Sequence, residues 1–429
     1  MKKNSMWVAI PLMMVTVITA SCSSSDDEKK SEQTIRPVEL PTTLELTRSE
    51  QEMVGNGNDF AFNLFREARD KTQSQILSPI SITYALGMLN NGAAGETQKQ
   101  INQVLGYSET GAKGINDFCY KMMQKAATLD DQTKVLIANN IYLNQDYQLL
   151  PDFVNAAKAF YDASPETRNF NDGQTCDVIN QWTSDHTEGM IKEVLKKDEF
   201  DSDAVSYLLN AIYFKGMWQQ KFDKNTTKDD LFKHPGTTNE ALTKPMMNQI
   251  SELEYMETDD YQALRLPYGN GAWQMTILLP KVTDDNEIKT GADIDKVLTS
   301  LTAASWQQIQ QQLKPVSVNV RLPRFESDTN IDLVPIMKKL GMTKAFDEQL
   351  ADFPYFCNMP TYIKLMKQVA KIKLDEEGTE AAAVTVIGMV KNAPSKPNYI
   401  TFHANHPFLY IISEQSSDAI FFIGQYTGY

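Results

Sequence analysis

Residues 372–385 read Ile-Lys-Leu-Asp-Glu-Glu-Gly-Thr-Glu-Ala-Ala-Ala-Val-Thr. Ile372 and Leu374 alternate with Lys371 and Lys373, which predicts a strand running into Asp375, Glu376, Glu377 and Gly378. From Thr379 the side chains turn mostly small, with Ala381, Ala382 and Ala383 in a row ahead of Val386 and Ile387. A flexible connector would favour Gly, Ser and Asp over such a run. A segment that must slide through a crowded gate and become a strand needs it, because each bulky side chain in a tight gap costs packing strain. On that strand Thr379, Ala381, Ala383, Thr385, Ile387 and Met389 share one face, with no charge or proline among them. Glu380, Ala382, Val384, Val386, Gly388 and Val390 take the other.

The 429 residues are 42% hydrophobic and 22% charged, enough for a substantial core. Length alone suggests two or three domains, but no Gly/Ser- or Pro-rich linker interrupts residues 50–429, so one large unit over 48–429 is expected. A net charge of −14 argues against nucleic acid as a partner.

Lys2, Lys3 and the apolar stretch Met6–Thr19 form a targeting segment too short for a permanent membrane span. Thr19-Ala20-Ser21-Cys22 resembles a bacterial lipoprotein processing site, although Thr19 stands where leucine is usual. Two readings stand: a signal peptide over 1–21 with Cys22 lipidated, or ordinary cleavage near Ala20. Residues 22–47 then form a polar tether, beginning Ser23–Lys30 without apolar residues, whose acids resemble surface-export signals. Either way a soluble domain is expected outside the cytoplasm, at the outer membrane or cell surface if the lipid is present. Cys119, Cys176 and Cys357 are odd in number and scattered, so they read as buried small hydrophobes rather than disulfides or a zinc site.

Helical spacing predicts helices over 59–69, after a turn at Gly55-Asn56-Gly57, and over 95–105, 151–161 and 176–186. Ser78-Pro79 opens another, with serine as N-cap and proline at the first position. A further helix is expected over 330–340, capped by Gly341. Strands are expected over 134–143, 205–214, 253–279 with a turn at 268–271, 316–322, 409–412 and 420–423. Helices dominate early and strands late, giving an α+β class.

Catalytic constellations are scarce. Four histidines are scattered, and no HExxH, GxSxG or CxxC occurs. Asp201-Ser202-Asp203 and Asp284-Asp285 lack the glycine and glutamate of a calcium loop. No enzymatic activity, cofactor or metal is expected.

Ordered blocks from Phe60 to Gly424 resemble the serpins. These are Ser78-Pro79-Ile80-Ser81-Ile82, Trp182-Thr183 with Thr187-Glu188-Gly189-Met190-Ile191, and Leu209–Trp218. Leu266-Pro267-Tyr268, Leu322-Pro323-Arg324-Phe325, Leu340-Gly341-Met342 and Phe402–Phe408 follow. The resemblance implies about three β-sheets, eight to nine helices and an exposed reactive-centre loop over about 376–400. It implies a hinge at Glu376, Glu377, Gly378, Thr379, Glu380, Ala381, Ala382, Ala383, Val384 and Thr385. Ser78, Ser81 and Asn210 would form the shutter of the central sheet, with Trp218 at the breach. One departure is Gln368, standing where the family often has a shutter histidine; glutamine donates and accepts but does not titrate near neutral pH.

The implied activity is suicide inhibition of serine proteases, with cysteine proteases as a second target class: the loop is cut, an acyl-enzyme forms, and the freed hinge inserts as an extra strand. Family spacing puts the residue before the cut at Asn392, give or take one. Pro394 pushes the bond upstream, and Lys391 is the only basic residue in the window, so Lys391–Asn392 is the expected bond for a trypsin-like enzyme. Met389 and Val390 are alternatives for chymotrypsin-, subtilisin- or elastase-like enzymes. A monomer is expected. The competing readings are a serpin-like protein cleaved without trapping and a surface lipoprotein that captures glycans or peptides.

Overall fold

The computed structural model describes residues 41, 43–108, 110–236, 241–379 and 399–429. Helix α1 (Arg48–Ala68) begins at a capping box: Thr47 Oγ1 accepts from the Glu50 N–H, and the Glu50 carboxylate accepts from the Thr47 N–H. The helix therefore starts eleven residues before the expected one, and Gly55-Asn56-Gly57 lie inside it rather than in a turn. Two interior glycines cost about 1 kcal/mol each, which the buried Met53, Val54, Phe60, Phe62 and Phe65 offset by packing. Just before it, Leu44 is buried and its N–H bonds Ser416 Oγ.

After strand β1 (Gln75–Leu77) comes α2 (Pro79–Asn90), with Ser78 as N-cap and every residue buried. Helices α3 (Gly95–Leu105) and α4 (Gly111–Ala126) follow. Next are β2 (Thr133–Asn144), α5 (Pro151–Tyr161), β3 (Glu166–Arg168), α6 (Thr175–His186) and β4 (Ser206–Met217). Strands β5 (Lys228–Phe232), β6 (Leu242–Glu257), β7 (Tyr261–Tyr268) and β8 (Trp273–Pro280) lead to α7 (Asp285–Thr290), α8 (Ala292–Ser300) and α9 (Ala303–Gln312). The chain closes with β9 (Lys314–Pro323), β10 (Phe325–Asp332), α10 (Val334–Lys339), β11 (Leu365–Asp375), β12 (Gly378–Thr379), β13 (Ile400–His403), β14 (Phe408–Glu414) and β15 (Ile420–Tyr426).

The described strands form two hydrogen-bonded sheets. The central sheet has the order β10-β11-β12-β4-β2-β3, and β11 also pairs directly with β4, in parallel, over 365–371 and 207–213. The other sheet has nine strands, β1-β15-β14-β8-β7-β6-β9-β13 with β5 on β6. Two sheets rather than three appear because the 16-residue β6 pairs with β5, β7 and β9 and joins what would be separate sheets. Ten α-helices lie among the described residues, above the expected eight to nine; two of them, α7 and α10, have only six residues each. The α+β class holds.

Helix α10 starts at Val334, not 330. The preceding Phe325–Asp332 alternates buried Phe325, Ser327 and Thr329 with exposed Glu326, Asp328 and Asn330, a strand pattern in polar residues. One face of the central sheet packs on α2 through Ile141, Leu208, Ile212 and Met366; the other packs under α6 through Tyr142, Leu209, Ala211 and Val369. Cys119, Cys176 and Cys357 are buried and unbridged, and burial pushes the Cys119 thiol up to about 12, leaving it inert. Among the described residues no helix is long and apolar enough to cross a membrane, and no group of side chains could hold a metal ion.

Candidate functional site

The parallel seam between β11 and β4 brings Gln368 opposite Asn210, and the N-terminus of α2 lies against both. The seam is closed by side chains. Gln368 Nε2 donates to Asn210 Oδ1 at 2.6 Å, and reaches the Ser78 carbonyl at 3.0 Å and Ser81 Oγ at 3.1 Å. Its Oε1 accepts from the Ser78 N–H at 3.0 Å. Ser81 Oγ donates to Asn210 Oδ1 at 2.9 Å, while Asn210 Nδ2 donates to Asn139 Oδ1 on β2. All four expected residues, Ser78, Ser81, Asn210 and Gln368, thus come together, at most 1% exposed. Glutamine completes this network because it offers both an acceptor and two donors on one planar group. Asn139 belongs to the network as well. Its signal in the sequence is the polar pair Asn139-Asn140 inside an otherwise apolar strand.

Six residues further along each strand, the seam has parted and β12 fills it. Leu374 and Asp375 of β11 pair with Thr379 and Gly378, which pair in turn with Gly216 and Met217 of β4. The two residues of β12 are already a strand of the central sheet, antiparallel to both neighbours. Thr379 is fully buried, and its hydroxyl meets the Tyr268 hydroxyl at 2.9 Å. Gly378 has φ of +142°, and a Cβ there would lie 2.2 Å from the Gly216 carbonyl oxygen, so only glycine fits.

Trp218 organises the mouth of this opening. Its ring stacks on Tyr268 with centroids 4.3 Å apart and planes 14° from parallel. Its Nε1 donates to the Asp375 carbonyl and its backbone N–H to the Glu377 carbonyl, both at 2.9 Å. The Phe222 N–H does the same for Glu376. Glu376, 1% exposed, accepts from Arg324 and from Thr227 Oγ1, each at 2.6 Å. Burial raises its pKa, but the Arg324 and Thr227 bonds outweigh that and hold the carboxyl below the ordinary range. Glu377 accepts from Lys221 at 2.6 Å and pairs with Lys224 at 3.1 Å; Lys221, with Lys224, holds it low too. Lys221, Lys224, Thr227, Tyr268 and Arg324 were not assigned these roles from the sequence. The adjacent acids Glu376 and Glu377, which need cations if buried, were the available signal.

The remaining expected site residues lie outside the described residues. They are Glu380, Ala381, Ala382, Ala383, Val384 and Thr385 of the hinge, Met389, Val390, Lys391 and Asn392 of the bait, and Cys22.

The arrangement is a β-sheet with a held-open upper seam, a chain already started into it and a polar clasp below. The family model described as serpin (serine protease inhibitor) matches residues 55–428. Human Serpin B8 is 34% identical over 376 residues, covering 86% of this chain and 97% of that protein. The crystal structure of a thermophilic serpin, tengpin, in the native state superposes with a TM-score of 0.80 at 27% identity, over 91% of this chain and 97% of that one. Human thyroxine-binding globulin, complexed with its hormone, matches at 0.78 and 23% identity over 88% and 98%, a likeness of fold alone. The chain belongs to the serpin family, whose members are generally protease inhibitors.

Proposed function

We propose that this protein is an irreversible suicide inhibitor of serine proteases, with the loop between Thr379 and Tyr399 as bait. The observation that carries the reading is β12: the hinge already occupies the first position of the strand that insertion would extend. Continued in the same register against both neighbours, the added strand would bring Thr385 between Gln368 and Asn210. A small hydroxyl residue suits that polar clasp, and the alanines before it suit the narrow approach.

In the proposed reaction the protease serine attacks the Lys391 carbonyl, the amine of Asn392 leaves, and an ester joins Lys391 to the enzyme. The freed hinge then zips between β4 and β11, gaining a hydrogen-bonded ladder on each side, and carries the enzyme away before water cleaves the ester. Lys391 favours a trypsin-like target; Met389 or Val390 would serve chymotrypsin-, subtilisin- or elastase-like ones. The protein acts as a monomer, and Cys22, if lipidated, anchors it at a bacterial cell surface that it protects.

Mixing residues 22–429 with trypsin and with elastase tests the reading. The expected result is a covalent band that survives SDS and a cleaved product that melts well above the intact protein. Clean cleavage with full protease activity remaining overturns it in favour of a non-inhibitory binding protein of the same fold. Mass spectrometry of the complex locates the bond.

A further inference from the structure

Next to Gln368 on β11 stands Lys367, whose side chain is 2% exposed. It lies on the α6 face of the central sheet, opposite Leu209 of β4 and Asp332 of β10. A lysine stem can lie along apolar surface, but its ammonium ordinarily reaches water. Here it ends instead on Glu199 Oε2, at 2.5 Å. Glu199 sits in the turn at 197–199, within the connection from α6 to β4, and the same oxygen accepts from the Lys196 N–H at 3.0 Å. That connection covers the sheet: Val194 and Leu195 pack with Tyr142 and Leu209, and Asn144 bonds the carbonyls of Ser202 and Ala204.

Lys367 belongs to one side of the seam, whereas Glu199 belongs to the chain that runs into the other side. We propose that the Lys367–Glu199 ion pair is a positioning device for loop insertion, clamping the α6–β4 connection across the closed seam and setting how fast the seam opens. The inference rests on the inhibitory reading of the loop. A strand added between β11 and β4 moves them apart by about 4.8 Å at this point. That separation breaks a 2.5 Å contact unless the connection swings aside with Lys367, and an ammonium left buried without its partner is strongly unfavourable. The carboxyl fits the role: burial raises the Glu199 pKa, but the Lys367 bond wins and keeps it ionised. Asp332, across β10, has its pKa raised by burial, which Lys367 only partly counters, so Glu199 is the principal counter-charge. Lys364 and Asp201, 3.8 Å apart with both side chains more than two-fifths exposed, form a second tie that solvent screens.

The test is the rate of insertion after loop cleavage, followed by tryptophan fluorescence in stopped flow, with the melting temperature of the cleaved product as the endpoint. Lys367→Met keeps the volume and removes the charge; Glu199→Gln keeps the shape of the partner. Both are expected to insert about tenfold faster than the wild type. The double variant is expected to match Lys367→Met, and Lys364→Gln to match the wild type. Wild-type rates in both single variants, beside a wild type that does insert, overturn this proposal alone. A cleaved wild type that gains no thermal stability overturns the inhibitory reading and this proposal with it.

Discussion

The side-chain amide of Gln368 donates to the side-chain carbonyl of Asn210 at 2.6 Å, closing the seam between β11 and β4 where both residues are excluded from solvent. Each amide is also held by α2 or β2, so the clasp ties the two halves of the central sheet to the helix beneath. Replacing Gln368 by Leu strands the Ser78 N–H and removes one of the two donors to Asn210 Oδ1, while the Ser78 carbonyl keeps the Ile82 N–H and the Ser81 hydroxyl. A loss of about 3 kcal/mol in urea unfolding is expected. Gln368→His restores the bonds near neutral pH but introduces a buried group that must charge in acid, so the variant loses stability below about pH 6 where the wild type does not.

The hinge carries its own acid sensitivity. Glu376 and Glu377 both have folded-state pKa values below the ordinary range. Their contribution to stability is therefore complete above the ordinary glutamate pKa and lost as pH falls through the lowered values. Acidification below about pH 4 should free the hinge, seen as faster proteolysis near residue 378 and a change in Trp218 fluorescence. Arg324→Gln should shift that transition to higher pH, because it removes the strongest force opposing the burial of Glu376.

Gly378→Ala places a methyl group against the Gly216 carbonyl and the Met217 Cα at a backbone angle that alanine avoids. The expected outcome is expulsion of β12 from the sheet. The loop should still be cut at the wild-type rate, but more inhibitor should be consumed per protease trapped, as titration of residual protease activity would measure.

Thr379→Arg asks a guanidinium to enter a site that is fully buried and offers a single hydroxyl, that of Tyr268. Covalent complexes should disappear while cleavage continues. If the variant still traps protease at the wild-type level, insertion does not begin at Thr379.

Much of this was legible in the chain. The clasp residues Ser78, Ser81, Asn210 and Gln368 follow from the serpin resemblance, with Ser78 also legible as a helix N-cap and Asn210 as a polar residue in an apolar strand, and the hinge from residues that are small where a loop's need not be. Helix α4 was missed although Ile115, Phe118, Cys119 and Met122 follow a helical spacing, and β10 was missed because its alternation runs through Ser and Thr.

By itself the sequence determined most of the local elements and the α+β class. Local pattern carries those properties because they depend on residues close in the chain. Only the tertiary structure decided that Gly378 and Thr379 already occupy the sheet, that Arg324 and Lys221 hold the two glutamates, and that Glu199 meets Lys367 across 168 positions. Those contacts join distant segments, and the charge of a buried side chain finds its partner only once the fold has chosen which strands lie side by side.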